Sequence, residues 1–586
     1  MGLSRLFLIL GLFLLLFFGW QRMFGGDGEV QPIQPIPVVY PEGPAPEQHC
    51  DLWTEQYRAR ISARGAALES FVVLPGKYRR DGEPIDLVTT PDHAHLRPLH
   101  TGFRNPAAPL PDDQWLVRQD VQDWRIVKNT GSACELEYRD ERVVLTKRIS
   151  AGRGPFELAV RTTIQNASGA AAPYALVVST TDFLRDDEVK GAMFTMNPRS
   201  THVECIAPDG NAARKRGEDF EASDFKDEEN FPRTDLTQGD WFQSSGNATL
   251  AAVSNAYFTN ALHHDAGPLS PVCQLLIEER WHAGQYASKK ADPNSAALYK
   301  ARLAYPVRTL APGATDTFEH TAYVGPKERQ ALETAGPQFV ELIDLGFFSS
   351  IARVLVSFLL HVYSLIPNWG VAIIVLTITA RVLLFPLSVP SIKNMIHMRE
   401  LKPEMDALNE KFKDDPQAKG LAQMELWRKH GVNPMKGCLP QLASMPVWVA
   451  LYTTLQTAVE LYNIPFLWFP DLSKPDPYYI LPFVIGGVFF LQQKLMPMQA
   501  GDPTQQKVMK YFMPGMFTVF MLFLPAGLGV YMFTNSLLGI LQQQVVERHV
   551  QKSLKTSKSA GAVESASGTP SSGTPSKRKT AKRSGA

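Results

Sequence analysis

The chain has 586 residues, a formal net charge of +1 and 45% hydrophobic residues, averages that by themselves fit an ordinary soluble protein. Their distribution excludes that reading: residues 24–340 are mixed and polar, whereas residues 347–546 are apolar blocks separated by short charged stretches. No Walker A sequence, HExxH pair or GxSxG elbow occurs, so an ATP-driven or hydrolytic activity would have to lack its usual signature.

The first element is an apolar run from Leu6 to Trp20 preceded by one basic residue, Arg5. A signal peptide and an uncleaved signal anchor share this pattern. The following GWQRMFGGDGEV lacks a clear small-x-small cleavage site, which favours a transmembrane anchor over residues 1–23. Residues 24–49 are Pro-rich and read as an extended, semi-rigid tether. Residues 50–345 follow, where ALESFVVLPGKY, ERVVLTKRIS, FELAVRTTIQNAS, YALVVSTTDF and ATLAAVSNAYFTNALHH are rich in β-branched and aromatic residues between turn signals. An all-β sandwich is expected. Cys50, Cys134, Cys205 and Cys273 lie in it; four cysteines allow three pairings, and their wide spacing leaves buried free thiols equally open. Asp92, His93, His95 and His100, and the pair His263 and His264, have metal-ligand chemistry, but histidines beside a Pro-rich turn need no metal, and neither metal nor cofactor is expected.

Residues 346–366 place Ser350, Arg353, Ser357 and His361 on one helical face and Ile351, Val354, Leu355, Phe358, Leu359 and Val362 on the other, an interfacial amphipathic helix. Residues 367–546 hold five candidate spans, at 369–388, 441–462, 479–496, 508–524 and 527–546. At about 1.5 Å per residue these reach roughly 25–33 Å, enough to cross a bilayer. With the anchor they make six transmembrane helices, five of them in the core. Lys and Arg concentrate in 389–437 and after Val546 and are sparse in 463–478, which places both termini and the long loop in the cytoplasm and the β domain outside. The loop reads as a helical hairpin, with Leu401, Met405, Leu408 and Phe412 on one helix and Leu421, Met424 and Trp427 on the next; Pro403 should kink or restart the first and Gly431 ends the second. It packs on itself and also offers a methionine-rich surface for varied apolar segments. The tail, 547–586, is low-complexity and basic, hence disordered, and suits ribosomal RNA, anionic lipid or a purely topological role.

TITARVLLFP, residues 377–386, sets Arg381 inside the first core span, about 18 Å along the helix from Trp369. Snorkelling to the headgroups and a functional polar cavity both explain it. Thr377 lies one turn away, Gln441 and Ser444 are three apart in the next span, and Thr534, Asn535 and Ser536 interrupt the last; no acidic partner stands at comparable depth, and Glu460 lies near the outer end of its helix. An unpaired arginine in lipid costs from about 3 to more than 10 kcal/mol, so water or a transient anionic partner should reach it. Trp448, Leu451, Phe517 and Phe520 form apolar walls on the third and fifth spans.

NWGVAIIVLTITARVLLFPLS, KHGVNPMKGCLPQLASMPVWVALY, DPYYILPFVIGGVFFLQQKL and DPTQQKVMKYFMPGMFTVFMLFLPAGLGVYMFTNSLLGILQQQ, with the charged hairpin, resemble the YidC family of the insertase superfamily that includes mitochondrial Oxa and chloroplast Albino proteins. The resemblance covers nearly the whole chain. It implies a polytopic α-helical membrane protein with a large periplasmic β-super-sandwich in the bacterial inner membrane. The implied function is insertion and assisted folding of nascent membrane proteins, alone or with the Sec translocon, beside ribosome and signal recognition particle pathways and membrane lipids. It also implies a hydrophilic groove, open to the cytoplasm and lipid, around Arg381 with Thr377 and Tyr531. Ser444 stands where the family commonly has glutamine, with Gln441 one turn earlier, and TNS at 534–536 alters the usual polar order. Two other classes compete: a secondary transporter or channel for a small anion, against which no inverted repeat is visible, and a membrane-anchored carbohydrate-active enzyme, against which no carboxylate pair is visible.

Overall fold

The computed structural model describes residues 48–80, 82–90, 94–103, 114–117, 123–184, 201–215, 241–279, 297–412, 415–431, 445, 447, 449–495 and 511–566. The expected anchor, nearly all of the tether, Asp92, His93, Gln441, Ser444 and Trp448 lie outside these. The described residues fall into two units, a β unit up to Asp344 that also takes in Thr457–Tyr462, and a helical unit of the remainder.

The β unit is built from strands whose side chains alternate. In Glu157–Asn166 the even positions Leu158, Val160, Thr162 and Ile164 are buried while Ala159, Arg161 and Gln165 point to solvent. That strand lies near the middle of a nine-stranded antiparallel sheet, between Thr315–Pro326 and Val143–Ala151. The stretch around Asn255 is a hairpin, Leu250–Ser254 and Phe258–Ala266, in the same sheet. A five-stranded sheet containing Val177–Leu184, Ala297–Ala304 and Val272–Glu279 contributes Val178, Tyr299, Ala301, Leu303 and Leu275 to the core that the first sheet fills with Val203, Leu262 and Phe318. The β unit is therefore mainly a sandwich of two antiparallel sheets, with a smaller three-stranded sheet, His49–Trp53, Tyr57–Ser62 and Ala67–Val73, and two short helices, Arg329–Ala335 and Pro337–Val340.

The structure selects one of the three cysteine pairings and sets aside the free-thiol alternative: Cys50 bonds to Cys134 and Cys205 to Cys273, with Cα atoms 6.1 and 5.9 Å apart. Spacing gave no hint because both bridges join strands from distant parts of the chain. The histidines are occupied structurally. His100 is buried, and burial pushes its pKa down to about 3. His263 Nδ1 lies 2.7 Å from Asp265 and His264 Nδ1 is 2.9 Å from the Tyr305 hydroxyl.

In the helical unit, Ser349–Leu365 is one helix with Ser350, Arg353, Ser357 and His361 exposed and Ala352, Leu359 and Val362 buried. Trp369–Glu400 is a single helix containing Pro386 and Pro390, so it runs past the expected span end at 388 into the following loop. Each proline removes one backbone donor, but the flanking turns keep theirs and the helix runs on. Lys402–Lys411 then starts with Pro403 in its first turn, and Pro416–Lys429 is capped by Asp415, whose carboxylate accepts from Gln417 N and Ala418 N. Helical residues 449–457 stop before the expected limit at 462, because Val459 and Leu461 are buried in a short turn, Val459 within the β core. Ile480–Leu495 and Met513–Met521 follow. The last helix, Ala526–Ala566, continues well past 546, so the expected disordered tail is helical through Ala566. Among the described residues one helix, within Trp369–Pro386, is long and apolar enough for a full crossing, while Ser349–Leu365 and Ile480–Leu495 are shorter apolar helices.

A candidate polar site around Arg381

Arg381 is fixed by the last helix. Its Nε donates to Asn535 Oδ1 at 2.7 Å, Nη2 to the Asn535 carbonyl at 2.9 Å and Nη1 to Gln542 Oε1 at 3.4 Å. Gln542 Nε2 in turn donates to the Arg381 carbonyl at 3.1 Å. The sequence permits this because Asn535, Gly539 and Gln542 are spaced four and three apart and share one helical face. Gly539 makes room: a Cβ there would stand 3.2 Å from Arg381 Nη2. Arg381 is half-buried; hydrogen bonds to a charged group contribute about 1.5–3 kcal/mol each, so three of them offset much of the cost of partly burying the guanidinium. Their acceptors are neutral amides. Three of the five N–H donors are bonded, while the positive charge itself is left uncompensated by these partners.

Of the other residues singled out in the sequence, Thr377 is buried but donates to the Ile373 carbonyl of its own helix at 2.7 Å, so it lines the same face as Arg381 without bonding to it. Tyr531 is buried one turn before Asn535, and Ser536 is buried next to it. Gln542 and Gly539 were missed by the sequence reading, although the four-three spacing from Asn535 in NSLLGILQ carried the signal.

Of the apolar walls, Leu451 is 2% exposed and packs inward. The Phe517 ring lies 5.4 Å from that of Phe489, Phe520 is half-buried, and Val519 on the same helix is exposed. In the hairpin, Leu401, Met405 and Leu426 are buried, Leu408, Phe412 and Trp427 are half-buried, and Leu421 and Met424 are exposed. The inner face of the second helix therefore runs through Leu426 and not through Leu421 and Met424. Gln423 bonds to Asn409 at 3.0 Å and closes the hairpin.

A mainly β unit joined to apolar helices, one of which carries a half-buried, hydrogen-bonded arginine, defines an integral membrane protein with a polar site among its helices. Comparison with known proteins gives the class a function. The 60Kd inner membrane protein family matches residues 361–553, and the YidC periplasmic domain family matches residues 50–358. The membrane protein insertase YidC of Anaeromyxobacter sp. (strain K) is 35% identical over 519 residues, covering 86% of each chain. That of Paraburkholderia phymatum is 32% identical over 511 residues, covering 84% of this chain and 83% of its own. A crystal structure of an active YidC insertase with its first transmembrane domain resolved covers 92% of this chain and 99% of its own, at 18% identity and a TM-score of 0.35. The protein is thus an inner-membrane protein insertase with a periplasmic, mainly β domain. It belongs to the YidC family.

Proposed function

We propose that insertion proceeds through a hydrophilic groove centred on Arg381, lined by Thr377, Gln441, Ser444, Tyr531, Asn535 and Ser536 and extended by Gln542. The observation that carries the reading is the set of neutral hydrogen bonds on the guanidinium. They hold it in place yet leave its charge for an acidic or polar group of a nascent chain. The client's apolar segment supplies the drive, about 0.8 kcal/mol per buried methylene, and an outside-positive potential adds about 2.3 kcal/mol per negative charge per 100 mV. No covalent chemistry and no nucleotide enters.

Around this groove the reading sets five core spans and an N-terminal anchor, both termini in the cytoplasm, and residues 389–437 as a cytoplasmic docking hairpin whose exposed Leu421 and Met424 meet apolar client segments. Trp448, Phe517 and Phe520 form the slide towards lipid. The partners are nascent membrane proteins, with the Sec translocon, the ribosome and signal recognition particle pathway, and membrane lipids around them. The test is insertion of a single-span client with an acidic translocated tail into proteoliposomes, scored by protease protection. Arg381→Ala should abolish protection and Arg381→Lys should retain it; equal insertion by all three proteins would remove the charge from the mechanism.

A further inference from the structure

Residues 463–479, which lead into the Ile480–Leu495 helix, bury both of their carboxylates. Asp471 is 4% exposed, and its Oδ1 accepts from Asn463 N at 3.0 Å, Ser473 N at 2.9 Å and Ser473 Oγ at 2.7 Å. Asp476 is 3% exposed; its Oδ1 accepts from Tyr478 N at 3.0 Å and Trp468 Nε1 at 3.3 Å, and its Oδ2 from Leu481 N at 2.7 Å, which caps the helix. Two backbone bonds, Ala526 N to the Lys474 carbonyl at 2.8 Å and Gly527 N to the Leu472 carbonyl at 2.9 Å, tie the segment to the start of the last helix. Leu467 and Tyr479 are held at φ +53° and +58°, a region costly for side-chain-bearing residues and maintained here by these bonds.

Phe469 and Leu472 pack inward with the carboxylates, but four other large side chains of the segment point outward. Leu467 is 73% exposed, Tyr478 67%, Tyr479 51% and Trp468 38%, and the strip continues onto Ile480, Phe483 and Val484. The usual arrangement for a loop in water keeps the carboxylates outside and the largest apolar side chains inside. The one here fits a surface facing the boundary between headgroups and acyl chains, where tryptophan and tyrosine concentrate because one end of each ring system is apolar and the other polar. The side of the membrane follows from the chain: Val459 and Tyr462, just before the segment, belong to the periplasmic β unit.

We infer that residues 463–479 are a rigid interfacial anchor seated in the periplasmic leaflet, with Leu467 at the top of the acyl chains and Trp468, Tyr478 and Tyr479 at headgroup depth. The occupant of this surface is lipid. Its two buried carboxylates fix the depth at which the Ile480–Leu495 helix enters the bilayer.

The test uses the full chain in lipid nanodiscs with the fifth cysteine removed by Cys438→Ser, and an environment-sensitive fluorophore attached at Leu467→Cys or, separately, at Tyr478→Cys. Lys128→Cys, on an exposed position of the β unit, is the aqueous control. Iodide should quench both loop positions at least about threefold less than the control, and lipids carrying a nitroxide near the headgroup should quench them strongly. Iodide quenching equal to the control would place the loop in water and overturn the proposal. Protection from iodide without quenching by the nitroxide lipid would overturn it too, by showing protein and not lipid on this surface.

Discussion

Arg381 and Glu204 are charged groups taken out of water in different ways. Arg381 keeps its charge open, bonded to the neutral oxygens of Asn535 and Gln542. Asn535→Ala removes the 2.7 Å bond and leaves the charge in place, so insertion of the acidic-tailed client should fall about tenfold or more without being abolished, the equivalent of about 1.5–3 kcal/mol. Gly539→Leu should cost as much by pushing the guanidinium aside, since even a Cβ there comes within 3.2 Å of Nη2. Insertion at the wild-type rate by both variants would show that the arginine does not need this placement. Glu204, in the β unit, is instead closed off: it is fully buried, accepts from Arg214 Nε at 2.8 Å and Ser254 Oγ at 2.7 Å, and lies 3.6 Å from His202. Burial alone would raise its pKa, but His202, Arg214 and Lys327 outweigh burial and hold it at about 2. The unfolded carboxyl titrates near 4.5. The group therefore stabilises fully above pH 4.5 and progressively less as pH falls towards 2, a swing of about 3 kcal/mol. Glu204→Gln should be less stable than wild type at pH 7, and the gap between their denaturant midpoints should close on acidification; a gap independent of pH would contradict the assignment.

Among the elements, the hairpin shows what a single cap does. Asp415 is the only side chain among the described residues seen to bond the first turn of Pro416–Lys429, and Pro416 supplies the fixed φ that starts it. Asp415→Ala should cost about 1 kcal/mol, read as roughly fivefold faster amide exchange in that first turn with exchange in Trp369–Glu400 unchanged. Helix boundaries were the least legible feature of the sequence. Pro386 and Pro390 look like stops, yet the helix passes through both, because each removes only one donor of a ladder that continues on either side. Conversely the apolar run to Tyr462 looks like a continuous span, yet its last residues leave the helix to fill the β core with Val459. Neither outcome is set locally: the same residues are acceptable in either state, and packing decides.

For the whole molecule, the bridges matter most in the β unit. Cys205–Cys273 joins the strand His202–Ile206 of the nine-stranded sheet to Val272–Glu279 of the five-stranded one, so it crosses the core. Cys50–Cys134 ties the small sheet to Ala133–Arg139, the strand next to the edge of the large one. With sequence separations of 84 and 68, chain entropy assigns each about 4–5 kcal/mol as an upper value. Replacing Cys205 and Cys273 by serine should lower the unfolding temperature of the β unit by several degrees at least, measured on the full chain, and reductant should have no further effect on that bridge; an unchanged transition would mean the sheets hold without it.

The sequence by itself determined the division into an exported β domain and an apolar helical half, the strand and helix type of most segments, and the position of Arg381 within an apolar helix. These are legible because alternation of period two, apolar runs and a charge in lipid are local properties that no distant residue reverses. Only the tertiary structure decided the cysteine pairing, the helix ends, the inward turn of Leu451, and the joining of Arg381 to Gln542. Each of those depends on which of several compatible partners comes within a few ångströms, and that distance is fixed by the packing of elements far apart in the chain.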